Sequence, residues 1–177
     1  MQDTKNFSSR GQCLCGGVRF HATAANGDIG MCHCKMCRRW AGGLPLTVLN
    51  AQVTLQAEDT LTWWKGSSWG ERGFCNACGC SLFWRAVDMP ESWAVSVGAL
   101  EEENALTLSK HIFYDDKAAF YHFTDDAPKK TGAEFTAKIM RALGEEHGAT
   151  AQKQALAQCR LSKGDVFTDE VEKFLTQ

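Results

Sequence analysis

Cysteine carries the chemistry of this sequence, in three groups: Cys13 and Cys15 in CLC, Cys32, Cys34 and Cys37 in CHCKMC, and Cys75, Cys78 and Cys80 in CNACGC. On a strand, residues i and i+2 face the same way, so C-x-C can present two thiolates to one ion. C-x2-C forms a knuckle turn whose backbone N–H groups can point at the sulfurs. Zinc takes four ligands in structural sites and three plus an open position in catalytic ones. Seven or eight thiolates are too many for one ion and enough for two. Joining Cys13 and Cys15 to Cys75 and Cys78 closes a four-thiolate structural site that staples a small β domain and contributes to its folding. Cys32, Cys34 and Cys37 then hold a second zinc, whose fourth position stays open to water, substrate or a neighbouring side chain. The spacing equally allows Cys80 to close that second site as a fourth ligand.

The residues around these groups modify the picture. Lys35, Arg38 and Arg39 bring cations to the three-cysteine group, where they would favour thiolate and attract an anionic thiol substrate. As an alternative they are a solvated charged turn. His33, between two ligands, is expected to point away from the metal, and His111 to be a hydrogen-bonded histidine at a strand end. Cys80 opens a strand and reads as a structural thiol, and Cys159 as packing or a free thiol in a helical segment. No general base is legible.

The elements that must position these groups are mostly strands. GGVRFHATA, LPLTVLN, TLTWWKG, CSLFWRAV, SWAVSVGAL and AAFYHF are short runs of β-branched and aromatic residues punctuated by Gly, Asn, Asp and Pro. Without long helices between them, they predict antiparallel sheets. Residues 35–41 predict one helical turn beneath the cysteine cluster. After DDAPKKTG the composition changes. Phe135, Ile139, Met140 and Leu143 make a helical stripe with Gly144 as its C-cap, and Thr168 is a candidate N-cap for a last helix. The expected organisation is a loose N-terminus at 1–10, a zinc-binding β domain at 11–132 and a helical tail at 133–177. The tail would pack on the β domain or on a partner, including a second copy in a homo-oligomer.

Composition bounds the function. The chain has 177 residues, 44% of them apolar, and a formal charge of −2, so no basic surplus points to nucleic acid. No apolar run approaches the roughly 20 residues needed to span a bilayer. MQDTKNFSSR lacks the apolar core of a secretory signal, which places the protein in the cytoplasm by default. There, nine cysteines in tight groups are metal ligands rather than disulfides.

GQCLCGGVRF, CHCKMCRRWAGG, ERGFCNACGCSLFW, SVGAL and HIFYDDKAAFYHF occur in this order, over about residues 9–136. In this the chain resembles the glutathione-dependent formaldehyde-activating enzyme family, to which centromere protein V is also related. The resemblance implies a β-tent of antiparallel sheets with two zinc ions. Cys13, Cys15, Cys75 and Cys78 match the family's structural site, and Cys32, Cys34 and Cys37 its catalytic site. It implies a carbon–sulfur lyase that joins glutathione to formaldehyde as S-hydroxymethylglutathione, or cleaves it. Cys80 stands where the family has Ser or Thr, and the tail lies outside the family pattern.

The expected function is therefore a zinc-dependent carbon–sulfur lyase acting on a small thiol and an aldehyde, with Arg38 and Arg39 as cationic partners of an anionic thiol. The alternative is a non-catalytic, zinc-stabilised protein-binding module.

Overall fold

Alternation along the first strand shows how the sheet is built. In β1 (Phe7–Gln12) the inward positions Phe7 and Ser9 are buried and their neighbours exposed, the period-two pattern of a half-solvated antiparallel strand. The computed structural model describes residues 6–176. Residues 7–10, expected to be loose from their polarity, belong to this strand instead. The polar Ser9 is tolerated inside because its Oγ donates to the Arg10 carbonyl and accepts from the Glu102 N–H. The remainder of the expected loose segment, residues 1–5, lies outside the described residues.

Two units divide the chain. Among the described residues the first comprises 6–32 and 36–110, the second 33–35 and 111–176. Sequence placed the boundary at 132, where helical composition begins. The contacts instead group 111–131 with the helices.

The first unit is an antiparallel sheet, as the strand pattern predicts, but AAFYHF (118–123), expected as a further strand, lies outside every strand. Its strands are β1, β2 (Arg19–Ala24), β3 (Asp28–Cys32), β4 (Leu46–Ala57), β5 (Leu61–Trp64), β6 (Gly70–Cys75), β7 (Ser81–Ala86), β8 (Met89–Ser96) and the start of β9 (Thr107–Ile112). They run in the order β1-β2-β4-β8-β7-β6-β5, with β3 pairing β4 and β9. The twelve-residue β4 joins the two faces of the tent. Its first half pairs with β3 and β8, and its second half with β2. The strand bends between them at Asn50, where φ is 53° and the register with β8 shifts.

Between the faces lie Phe20, Val48, Leu82, Phe83, Trp93 and Val95, all buried. Their rings interlock edge to face, Phe20 on Phe83 at 4.8 Å and Phe83 on Trp93 at 4.9 Å, the arrangement that the ring quadrupoles prefer. Against this core, β1 comes close at Gly11, where a Cβ would meet the Phe20 ring at 2.4 Å. The short helix α1 (Lys35–Ala41) carries Met36, Cys37, Arg38, Arg39 and Trp40.

The second unit holds the helices α2 (Gly132–Lys163) and α3 (Asp165–Leu175). A capping box starts α2: Thr131 Oγ1 accepts the Glu134 N–H, and Glu134 returns a carboxylate to the Thr131 N–H. The interruption expected at Gly144 occurs four residues later, at Gly148 (φ 84°, ψ 168°). After it, the chain folds back and packs Cys159 with Ala133, Ala137, Met140 and Val171.

The tail thus makes its own core. Met140 is buried in it, while Ile139, counted in the same stripe, is 47% exposed. Thr168 is not an N-cap. Gly164 precedes α3, and Thr168 sits buried inside the helix, its hydroxyl donating to the Gly164 carbonyl.

Candidate metal centres and their surroundings

The sheet brings together the two half-sites that spacing pairs. The sulfurs of Cys13, Cys15, Cys75 and Cys78 all lie within 4.8 Å of one another. Cys13 and Cys15 are 3.5 Å apart and Cys15 and Cys75 3.6 Å. These are not disulfide distances, and no two cysteines among the described residues are joined by a disulfide. A tetrahedron of sulfurs bonded to zinc at about 2.3 Å has edges of about 3.8 Å, so the donor set fits that ion. Each half-site turns on a left-handed glycine, Gly16 (φ 74°) after Cys15 and Gly79 (φ 77°) after Cys78.

Backbone donors surround the sulfurs. The Val18 N–H donates to Cys13 Sγ. The Cys80 and Cys15 N–H groups hold the Cys78 thiol down to about 6. For Cys15 the Gly17 N–H acts downward, but the sulfurs of Cys13, Cys75 and Cys78 outweigh it and push the thiol up to about 12. Four sulfurs so close cannot all be thiolate without a cation among them. Cys80 stands outside both groups of candidate ligands, and its sulfur accepts the Leu14 N–H.

Cys32, Cys34 and Cys37, contributed by six consecutive positions, form the second group, again with sulfurs within 4.8 Å. Among the described residues no fourth Cys, His, Asp or Glu joins them. Cys32 is fixed at the end of β3 by its N–H to the Pro45 carbonyl, and Cys37 lies one turn into α1. Of the cations expected nearby, Arg38 is half-buried and Arg39 exposed, both in the last turn of α1.

A cation not singled out from sequence comes closer. Arg72 on β6 is 2% exposed, and its Nη2 donates to Met36 Sδ at 3.1 Å and to Cys37 Sγ at 4.0 Å. Its Nη1 is buried without a hydrogen-bond partner among the described residues. The guanidinium carbon sits 5.8 Å from the Trp40 ring and 6.0 Å from the Trp64 ring, within cation–π range. Trp64 lies directly across from Arg72 in the β5–β6 ladder. Trp40 and Trp64 are nearly parallel, 7° apart with centroids at 5.6 Å. Together with Phe74, Gly79 and Ser81 they line a cleft of about 380 Å³. Ser81 ties this wall to α1 by donating to the Trp40 carbonyl.

In the second unit, His33 is fully buried and belongs to a polar chain rather than to the ligand set. Its Nδ1 meets the Tyr121 hydroxyl at 3.0 Å and its Nε2 meets His111 Nδ1 at 2.9 Å. His111 Nε2 lies 3.1 Å from Asp125. The expectation that His111 is satisfied in place agrees with this geometry.

Comparison with known proteins follows the same residues. The model of the family described as glutathione-dependent formaldehyde-activating enzyme matches residues 8–116. The chain belongs to that family. An uncharacterised lyase of Schizosaccharomyces pombe is 23% identical over 133 residues, covering 74% of this chain and 96% of that protein. The crystal structure of a Rhodobacter sphaeroides protein aligns at 26% identity and a TM-score of 0.44, over 68% of this chain and 98% of the other. The matched segment contains both cysteine groups and Arg72, while α2 and α3 lie beyond it. Among the described residues no helix is long and apolar enough to cross a membrane.

Proposed function

We propose that this protein is a zinc-dependent carbon–sulfur lyase that makes or cleaves a thiol–aldehyde adduct of the S-hydroxymethylglutathione type at the three-cysteine group. The supporting observation is the contrast in donor number: four sulfurs gathered in one group, three in the other. Four thiolates complete a structural ion, whereas three leave a position for substrate. Zinc held by Cys32, Cys34 and Cys37 would supply a Lewis acid at which a thiol more readily gives up its proton.

The chain's own residues supply the remainder. In the forward direction the substrate sulfur bonds to the aldehyde carbon, the carbonyl π bond opens, and the thiol proton ends on the new hydroxyl. The reverse step breaks the carbon–sulfur bond and returns the proton to sulfur. Arg72 places a fixed positive charge beside Cys37 and offsets the net negative charge of three thiolates around a divalent ion. Trp40, Trp64 and Phe74 present an apolar wall that keeps water from the organic part of a substrate. Arg38 and Arg39 stay as outer cations that draw an anionic thiol towards α1. Cysteines gathered in groups without disulfides fit a reducing compartment such as the cytoplasm.

The test is exchange NMR on free formaldehyde and its glutathione adduct. Added protein should accelerate their interconversion, and Cys34→Ser should remove the acceleration while leaving a folded chain. A cobalt-substituted protein whose sulfur-to-metal band ignores every added thiol would defeat the proposal and favour a zinc-stabilised binding module.

A further inference from the structure

A buried guanidinium without a carboxylate is expensive, because the charge has left water and found no opposite charge. Arg72 is in that position. Among the described residues no acidic side chain pairs with it, one of its terminal nitrogens has no acceptor, and the other is met by sulfur. A thioether is a weak hydrogen-bond acceptor. The Met36 sulfur therefore covers the cation without neutralising it. Methionine is also the most adaptable apolar side chain, with three rotatable bonds, and Met36 is 37% exposed on the outside of α1. A weak acceptor on a movable arm over a fixed cation is easily displaced by an anion.

The ladder registers show what lies beside it. Trp64 is opposite Arg72, and Ser81 opposite Phe74, which lies two residues along β6 from Arg72. Trp40 faces them from α1. An incoming molecule meets an apolar, aromatic cleft, and behind two of its walls, Trp40 and Trp64, the unsatisfied cation lies 5.8 and 6.0 Å from the rings and adjoins Cys37. We propose that Arg72 is the specificity-determining residue for a carboxylate on the thiol substrate. The carboxylate displaces Met36 from the guanidinium, and the substrate's carbon skeleton lies against the wall of Trp40, Trp64 and Phe74. This rests on the proposed lyase function for the thiol, and on Arg72 alone for the carboxylate. It also moves anion recognition from Arg38 and Arg39 to a residue whose charge is held in low dielectric, where pairing with a planar anion is strong and directional.

Full-length protein carrying cobalt in place of zinc tests this with three probes: 3-mercaptopropionate, its neutral amide, and 3-phenylpropionate, a carboxylate without a thiol. The cobalt band reports thiol at the metal, and tryptophan fluorescence reports occupation of the cleft. Wild type should bind 3-mercaptopropionate roughly tenfold tighter than the amide, the margin of one charge-assisted pair. Arg72→Gln should bind both thiols equally. Met36→Glu, which supplies a carboxylate from an exposed position and needs no core change, should abolish the preference as well.

A preference that survives in Met36→Glu, or in a folded Arg72→Gln, overturns the assignment and leaves Arg72 as a counter-ion to the thiolates. Absence of any preference in wild-type protein that does bind thiols overturns it too. If no thiol reaches the metal but 3-phenylpropionate still quenches fluorescence in an Arg72-dependent way, the lyase proposal fails and the carboxylate site stands. Indifference to all three probes defeats both.

Discussion

His33 Nε2 and His111 Nδ1 lie 2.9 Å apart, and neither ring is exposed to solvent. Burial plus a carboxylate at one end determines the direction of every proton along the chain. Asp125 accepts from His111 Nε2–H, so with neutral rings His111 Nδ1 accepts from His33 Nε2–H, and His33 Nδ1 accepts from the Tyr121 hydroxyl. The residue between Cys32 and Cys34 is thereby held in one tautomer and one orientation. His111→Phe keeps the ring volume but leaves the buried His33 N–H without an acceptor, which should cost about 1–3 kcal/mol of stability. Thermal melting against wild type measures it, and an unchanged melting temperature would contradict the proton order.

Acid should weaken the same chain from its other end. Partial burial acts to raise the Asp125 carboxyl, but the hydrogen bonds from His111 and the Ala127 N–H, with the charge of Lys129, outweigh it and hold the group below its ordinary value. A carboxyl depressed in the folded state contributes stability above its unfolded pKa and loses it as pH falls through the folded value. The stability difference between wild type and Asp125→Asn should therefore stay constant from pH 5 to 8 and shrink only below about pH 4. Denaturant titrations across that range check it. A difference that changes between pH 6 and 8 would implicate a histidine instead.

The two cysteine groups should differ in what their loss does. Cys75→Ser or Cys78→Ser removes a ligand from the four-sulfur group, where structural zinc binding contributes on the order of 10 kcal/mol to folding in small domains. Those variants should be insoluble or melt far below wild type. Cys34→Ser should yield a folded protein with about one metal ion fewer, by elemental analysis and melting together. The opposite pattern would exchange the roles of the two sites.

Glycines 144 and 148 offer a contrast within one helix. Gly148 adopts φ 84° and ψ 168°, a region essentially reserved for glycine, although no atom lies within 4 Å of where a Cβ would be. Gly148→Ala should cost about 1–3 kcal/mol from backbone strain alone. Gly144 is helical, and a Cβ there meets the Gln152 side chain, its amide end at 3.0 Å and its Cβ at 3.4 Å, so that side chain must give by a few tenths of an ångström. Gly144→Ala should be neutral or stabilising by up to about 1 kcal/mol. Equal effects at the two positions would show that the break is not at Gly148.

The cysteine groups were legible because ligand spacing is local chemistry, written within six residues or fewer. The strands were legible from alternation, and the helices from composition. Arg72 was not, because in sequence it is an ordinary strand arginine. Its burial depends on Trp64 across the ladder and Trp40 on a helix contributed from elsewhere in the chain. The His111–Asp125 pair escaped for the same reason, since it is made by tertiary approach. Sequence pointed to a break at Gly144 and did not single out Gly148, where it falls. The fold-back decides between them: Gln152 Nε2 donates to the Met140 carbonyl, which keeps the helix intact past Gly144. Of the apolar stripe, Met140 found a partner within the tail itself, through α3, while Ile139 stays half exposed, and chain periodicity alone could not say which positions would be covered.

The two cysteine groups also differ in when they can assemble. Cys15 and Cys75 are 60 residues apart, so closing their site means ordering a long loop, with an entropy cost that a six-residue group avoids. On a growing chain, Cys32, Cys34 and Cys37 emerge together and can take a metal ion before β6 has been synthesised. The four-sulfur centre must wait for Cys78, the last of its ligands, to leave the ribosome. Metal bound during synthesis would therefore reach the three-cysteine group before the four-cysteine one, and a chain made under metal shortage would be loaded at the local group with the tent still open.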